Sequence, residues 1–184
     1  MAMVSTLPKL WTYEDLDDLP EGRVEIVHGV LQELPVSGSQ HTSIAFVVGS
    51  AILQFVRPRG LGMVGGADGA YIFSRDPLIL LVPDVSFVSR AKLPEITPRV
   101  PEVVPDLVVE VVSPNDRMHD VVAKVALYQE FGVSLVWVVL PSRKVVWVFD
   151  SAEKGVSREY GVGDELDGGA ILPGFRLPLA EIFD

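Results

Sequence analysis

Pro105-Asp106-Leu107-Val108-Val109-Glu110-Val111-Val112-Ser113-Pro114 sets an ionisable carboxylate in the middle of an apolar, β-branched run closed at both ends by proline. A short run of this composition reads as a strand buried on both faces. Side chains alternate along a strand, so Val108, Glu110 and Val112 share one face while Leu107, Val109 and Val111 line the other. Glu110 is the lone charge on its face. Burying a carboxylate is costly unless it is paired, protonated or bound to a cation, so this position calls for a partner outside the run.

Two neighbouring stretches offer one. Leu78-Ile79-Leu80-Leu81-Val82-Pro83-Asp84-Val85-Ser86-Phe87-Val88 repeats the pattern with Asp84, and Asp120-Val121-Val122-Ala123-Lys124 carries a cation on an expected helix. Asp84 and Ser86 are expected to share a face opposite Val85 and Phe87. If the two strands are neighbours, Asp84 and Glu110 converge at one end of a sheet, where hard oxygen ligands suit a cation such as Mg²⁺. Two buried carboxylates with a lysine close by point to divalent-metal phosphodiester chemistry. The alternative is structural: each acid caps a strand end or pairs with an arginine, and Asp120, Lys124 and Tyr128, four apart, form an ordinary helix-surface ladder.

The remaining elements arrange themselves around this unit. Thr12, with Asp15 three residues on, is expected to cap a helix from Tyr13 to about Leu19, stopped by Pro20 and Gly22. Arg23–Val27, His28-Gly29 and Val30–Leu34 read as a hairpin. After the Pro35–Ser39 loop, Ile44, Val47, Val48, Ala51, Ile52 and Phe55 recur at helical spacing, predicting a long helix to about Arg57, ended by Pro58 and Gly60. Strands are expected at Ala70–Phe73, about Leu80–Val88 and Asp106–Val112. A helix opening at Asp116 or Asp120 reaches Phe131, with Gly132 as a left-handed cap. Ser134–Leu140 and Lys144–Asp150 follow as strands across the Pro141-Ser142-Arg143 turn. Short β pieces and a closing turn are expected in the Gly-rich tail. The fold class is α/β (mixed α+β), in one domain over residues 1–184, with a strand-helix-strand unit from Asp106 to Leu140 at its centre.

Composition narrows the function classes. Cysteine is absent, which excludes disulfides, thiolate metal sites and cysteine nucleophiles. His28, His41 and His119 lack the close helical spacing of a zinc-protease pair. Residues 1–9 lack a basic region followed by an apolar segment, and the apolar runs are broken too soon to span a bilayer, so a cytoplasmic protein with no membrane association is expected. The formal net charge of −10 argues against tight non-specific nucleic-acid binding, leaving local cations such as Arg57 with Arg59, Arg90 with Lys92 and Arg99, and Arg143 with Lys144. Gly60, Gly62, Gly65, Gly66 and Gly69 suggest a phosphate loop superficially. No Gly-Lys-Ser/Thr follows them, and turns between strands account for them better.

Taken together, Pro83-Asp84, Glu110 within its run, Asp120, Lys124, Tyr128 and Gly132-Val133 before Val136-Trp137-Val138 resemble the Uma-two family of restriction-endonuclease-like proteins, within the PD-(D/E)XK nuclease superfamily. The resemblance extends upstream to Val24-Glu25-Ile26-Val27-His28-Gly29-Val30-Leu31 and His41, covering about residues 11 to 150. It implies a restriction-endonuclease-like central mixed sheet flanked by helices, with an N-terminal hairpin and long helix. It further implies a magnesium-dependent endonuclease, with Mn²⁺ as substitute cation and nucleic acid, DNA in the first place, as partner. Asp84 and Glu110 are then the metal ligands, and Lys124 and Glu25 complete the catalytic set. His41, Asp120 and Tyr128 are accessory candidates. The superfamily's usual lysine position, two residues after the second acid, is Val112 here, so Lys124 must reach the site from the next helix. Double-strand cleavage needs two sites, which makes a homodimer the expected assembly. The rival reading is a non-catalytic protein that keeps this fold for binding or assembly.

Overall fold

The computed structural model describes residues 9–153 and 155–184. The reading of residues 1–8 as free of a leader signature lies outside the described residues. The architecture is mixed α/β, with a six-stranded sheet at its centre, helices on both faces and an N-terminal hairpin followed by a long helix.

Tyr13–Asp18 forms a single 3-10 helix, tighter and shorter than the expected helix. Asp15 reaches back to Thr12 N (2.8 Å), while Asp15 N donates to the Thr12 carbonyl, an i to i−3 bond that closes the tighter turn. β1 (Val24–Val27) and β2 (Val30–Glu33) form the hairpin across His28-Gly29. α1 (Ser39–Arg59) buries Ile44, Ala45, Val48, Ile52 and Val56. It runs past Pro58, correcting the expected stop near Arg57. Proline forfeits only one bond in a last turn, and the helix ends where Gly60 turns left-handed (φ 61°). Gly60 N then donates to the Arg57 carbonyl and Leu61 N to the Val56 carbonyl, satisfying the terminal acceptors in a Schellman arrangement.

β3 (Gly62–Gly65) is a strand where turns were expected, paired antiparallel with β6 (Val85–Ser89). Its glycines serve close packing: a Cβ at Gly65 would stand 2.6 Å from both Ser86 Oγ and Tyr71 Oη. β4 (Tyr71–Arg75) and β5 (Leu78–Leu81) pair antiparallel. The expected single strand from Leu80 to Val88 is thus two strands in different sheets, because Val82-Pro83-Asp84 breaks the run and proline cannot donate to a ladder. β7 (Leu107–Val111), α2 (Met118–Glu130) and β8 (Leu135–Leu140) build the expected strand-helix-strand unit, with β7 and β8 parallel. α2 opens at Met118, between the two expected starts, because the Asp116 carboxylate turns back to Ser113 N (2.7 Å); Gly132 follows it in a left-handed conformation (φ 92°). β9 (Val145–Asp150) and β10 (Ser157–Gly161) extend the sheet. β11 (Glu165–Asp167), β12 (Arg176–Pro178) and α3 (Leu179–Phe183) make up the tail.

The six-stranded sheet runs β10-β9-β8-β7-β6-β3, and a four-stranded sheet runs β2-β1-β5-β4. One face of the larger sheet (Val85, Phe87, Leu107, Val109, Val111, Trp137) packs on α1 and the tail residues Leu172, Phe175, Leu179 and Ile182. The opposite face (Val108, Val136, Val138) packs on Val125 and Tyr128 of α2 and on Ile79 and Leu81 of β5. Glu110 shares its face with Val108, so the alternation along β7 aims its carboxylate at α2.

Candidate active site

The antiparallel register of β6 and β7 pairs Val85 with Val109 and Ser86 with Val108, so the next pair in that register sets Asp84 opposite Glu110. Asp84 stands where the chain leaves the Pro83 break and enters β6. Its side chain is 6% exposed, and three donors hold it: His41 Nε2 at 3.0 Å and Val111 N at 2.8 Å on Oδ2, and Arg23 at 3.4 Å on Oδ1. Burial pushes the Asp84 carboxyl up, and the bonds from His41 and the Val111 amide more than reverse that, leaving it below the usual carboxylate range. The same bond raises the His41 imidazole above its ordinary value against the effect of burial. His41 sits in the first turn of α1, with Nδ1 buried and unpartnered.

Glu110 meets α2. Its Oε1 accepts the Tyr128 hydroxyl at 2.6 Å and Lys124 Nζ at 2.9 Å. Lys124 and Tyr128 lie one helical turn apart, so both come from one stripe of α2. The same ammonium lies 2.9 Å from Oε1 of Glu25, which also accepts Val82 N at 2.8 Å. Glu25 occupies the middle of β1, where alternation turns it away from Ile26 and towards α2. Lys124 thus bridges acids from two sheets. Burial opposes its charge, but Glu110 and Glu25 outweigh that and hold its pKa above the ordinary lysine value. Burial pushes the Glu110 carboxyl up to about 7, and the like charges of Asp84 and Glu25 add to that against the attraction of Lys124. The Tyr128 hydroxyl is raised well above its ordinary value, by burial first and by Glu110 next. It stays a neutral donor.

The structure therefore brings together Glu25, Asp84, Glu110, Lys124, Tyr128 and His41. Asp120 stands apart: its side chain is 67% exposed and pairs with His119 at 3.0 Å. Among the described residues no group of three or more histidine or acidic side chains converges as a metal-holding cluster. Arg23, Ser37 and the Val82 and Val111 amides are site members the sequence reading did not single out. Backbone donors leave no side-chain signature. Arg23, immediately before the Glu25 strand, was visible only as a charge at a hairpin's start.

Residues 11–180 match the Uma2 family, described as "Putative restriction endonuclease". No curated protein matches. A crystal structure from Anabaena variabilis, described as a putative nuclease belonging to DUF820, superposes with a TM-score of 0.80 at 18% identity, over 94% of this chain and 97% of that one. At that identity the likeness concerns the fold. No helix among the described residues is long and apolar enough to cross a membrane.

Proposed function

The chain belongs to the Uma2 family, and from that premise we propose that it is a metal-dependent endonuclease acting on nucleic acid, with DNA the favoured substrate, built as one domain over residues 1–184. The observation that carries this reading is the meeting of Glu25, Glu110 and Lys124 beside Asp84.

The donor chemistry fits a hard cation. Asp84 and Glu110 are carboxylates on facing strand positions; burial is the main cause of the raised Glu110 pKa, and the like charges of Asp84 and Glu25 add a repulsion that a cation would relieve. Magnesium keeps several waters and is commonly held by one or two carboxylates, so a site of two acids suffices where a third ligand does not converge. Asp84 and Glu110 are the residues that would hold Mg²⁺, or Mn²⁺ in its place. When bound, such an ion polarises a phosphoryl oxygen and lowers the pKa of a coordinated water.

The chain's own groups do the rest. Lys124, held as an ammonium by its two acids, orients the attacking water and offsets charge developing on the phosphoryl group; its raised pKa makes it a donor and not the base. Glu25 anchors that ammonium, and Tyr128 fixes Oε1 of Glu110. His41 and the Val111 amide orient Asp84. Two copies acting as a homodimer would cut both strands of a duplex. The rival non-catalytic reading is favoured by the way Lys124 and Tyr128 already saturate one oxygen of Glu110 in a chain of net charge −10.

Incubating plasmid DNA, linear duplexes and RNA with the protein in Mg²⁺ or Mn²⁺ separates the two. The nuclease reading expects cleavage that chelation abolishes and that Glu110→Gln lacks. Intact substrates throughout, or cleavage unchanged by Glu110→Gln, contradict it.

A further inference from the structure

Arg23 approaches Asp84 from the residue before β1, and it is loosely held. It donates to Ser37 Oγ at 3.2 Å and to Asp84 Oδ1 at 3.4 Å, while its buried Nε makes no hydrogen bond and stands 3.5 Å from Asp68 Oδ1. Charge-assisted bonds of a guanidinium normally close to about 2.7–2.9 Å. Arg75 shows this elsewhere in the molecule, gripping both oxygens of Glu102 at 2.7 Å. A buried N–H left unpaired beside the site calls for an acceptor that is not yet there.

Asp68 differs from the other acids near Arg23. Its side chain is 89% exposed, whereas that of Asp84 is 6% exposed. It rides on Gly65-Gly66-Ala67-Asp68-Gly69, the glycine cluster that carries no phosphate-loop signature, and faces the Nε edge of the guanidinium. A Cβ at Gly66 would meet nothing within 4 Å, so the chain beside Asp68 borders open space. A carboxylate and a phosphodiester present similar charge and acceptor geometry to a guanidinium fork.

We propose that Arg23 receives a backbone phosphate of the nucleic acid beside the active site, and that Asp68 is a displaceable stand-in which yields its place to that phosphate. The assignment rests on the nuclease reading for the identity of the phosphate, and it is measurable without cleavage. The occupant is a nucleic-acid backbone because Arg23, donating to Asp84, adjoins the carboxylates that the nuclease reading sets against one.

The test is fluorescence anisotropy of a short labelled DNA duplex in EDTA, titrated over a range of salt. Arg23→Gln is expected to weaken binding about tenfold and to lower the log–log salt slope by about one, as for loss of a single phosphate contact. Arg23→Lys keeps the charge and restores the slope. Asp68→Asn, isosteric and at an exposed position that leaves the fold intact, tightens binding several-fold. Unchanged affinity and slope in Asp68→Asn and Arg23→Gln, or no binding by Asp68→Asn, overturns the assignment. That result leaves the nuclease reading to the cleavage assay. The expected changes in a protein that cuts nothing uphold Arg23 and remove the nuclease.

Discussion

Removing Lys124 should destabilise the protein in a way that grows with pH. Lys124→Ala takes one cation from between two acids whose side chains are only 5% and 14% exposed, Glu25 and Glu110. Breaking a buried ion pair from one side typically costs about 3–5 kcal/mol, because the charge left behind is uncompensated. Glu110 can escape part of that cost by taking a proton. Its folded-state pKa already stands at about 7, against about 4.3 for an unfolded glutamate. A carboxyl raised in this way contributes stability that is fully present below the unfolded value and is lost as pH rises through the folded value. Without Lys124, the attraction that opposes the rise disappears and the folded value climbs further. At pH 5 Glu110 is then protonated and the loss shrinks to what the lysine stem's packing and the lost pairing with Glu25 contribute. At pH 8 the loss reaches about 3 kcal/mol or more. Urea unfolding of wild type and Lys124→Ala at both pH values reads the difference, with Glu110→Gln/Lys124→Ala expected to recover most of it at pH 8. A destabilisation equal at the two pH values, or one the double variant does not relieve, refutes the buried charge triad.

Three further outcomes follow from the same geometry. Excess Mg²⁺ or Mn²⁺ should raise the thermal midpoint of the wild type, since an ion bound only by the native state adds stability by mass action, and equal shifts in wild type and Glu110→Gln would count against the metal site. Lys124→Ala should abolish cleavage while keeping the metal-induced rise in midpoint, and Val112→Lys in that background should restore some activity because position 112 shares a strand face with Glu110; full activity in Lys124→Ala alone would return Lys124 to a structural role. Gly65→Ala should cost about 1–3 kcal/mol in urea unfolding, as its methyl would press on Ser86 Oγ and Tyr71 Oη at 2.6 Å, and an unaffected midpoint would show that β3 can move away from β4 and β6.

The strand-helix-strand unit was legible because its strands are buried on both faces and so spell out long apolar runs. Glu110 was legible as the interruption of such a run, and Gly132 as the end of α2. β3 escaped because the strand signal is β-branched bulk, and Gly62 and Gly65 carry none; a Cβ at Gly62 would lie 2.0 Å from the Val88 carbonyl oxygen, a contact across the sheet that only tertiary structure creates. The split at Val82-Pro83-Asp84 was hidden by apolar continuity on both sides, although Pro83 was its marker. In the site, spacing could place Lys124 and Tyr128 on one stripe of α2 without saying whether that stripe faced the sheet. Asp120, one turn earlier, belongs to the exposed end of the helix, where the axis carries it away from Glu110. Arg23 comes to Asp84 through the joining of two sheets, while the Val82 and Val111 amides reach Glu25 and Asp84 across neighbouring strands within one sheet each; all three are relations between segments distant in sequence.

Anomalous diffraction from crystals grown with Mn²⁺ tests the central claim most directly. The account predicts one peak in contact with the carboxylates of both Asp84 and Glu110, lost in Glu110→Gln, with Lys124 still held by Glu25. No peak there at saturating Mn²⁺, with Lys124 still bridging Glu25 and Glu110, would contradict it.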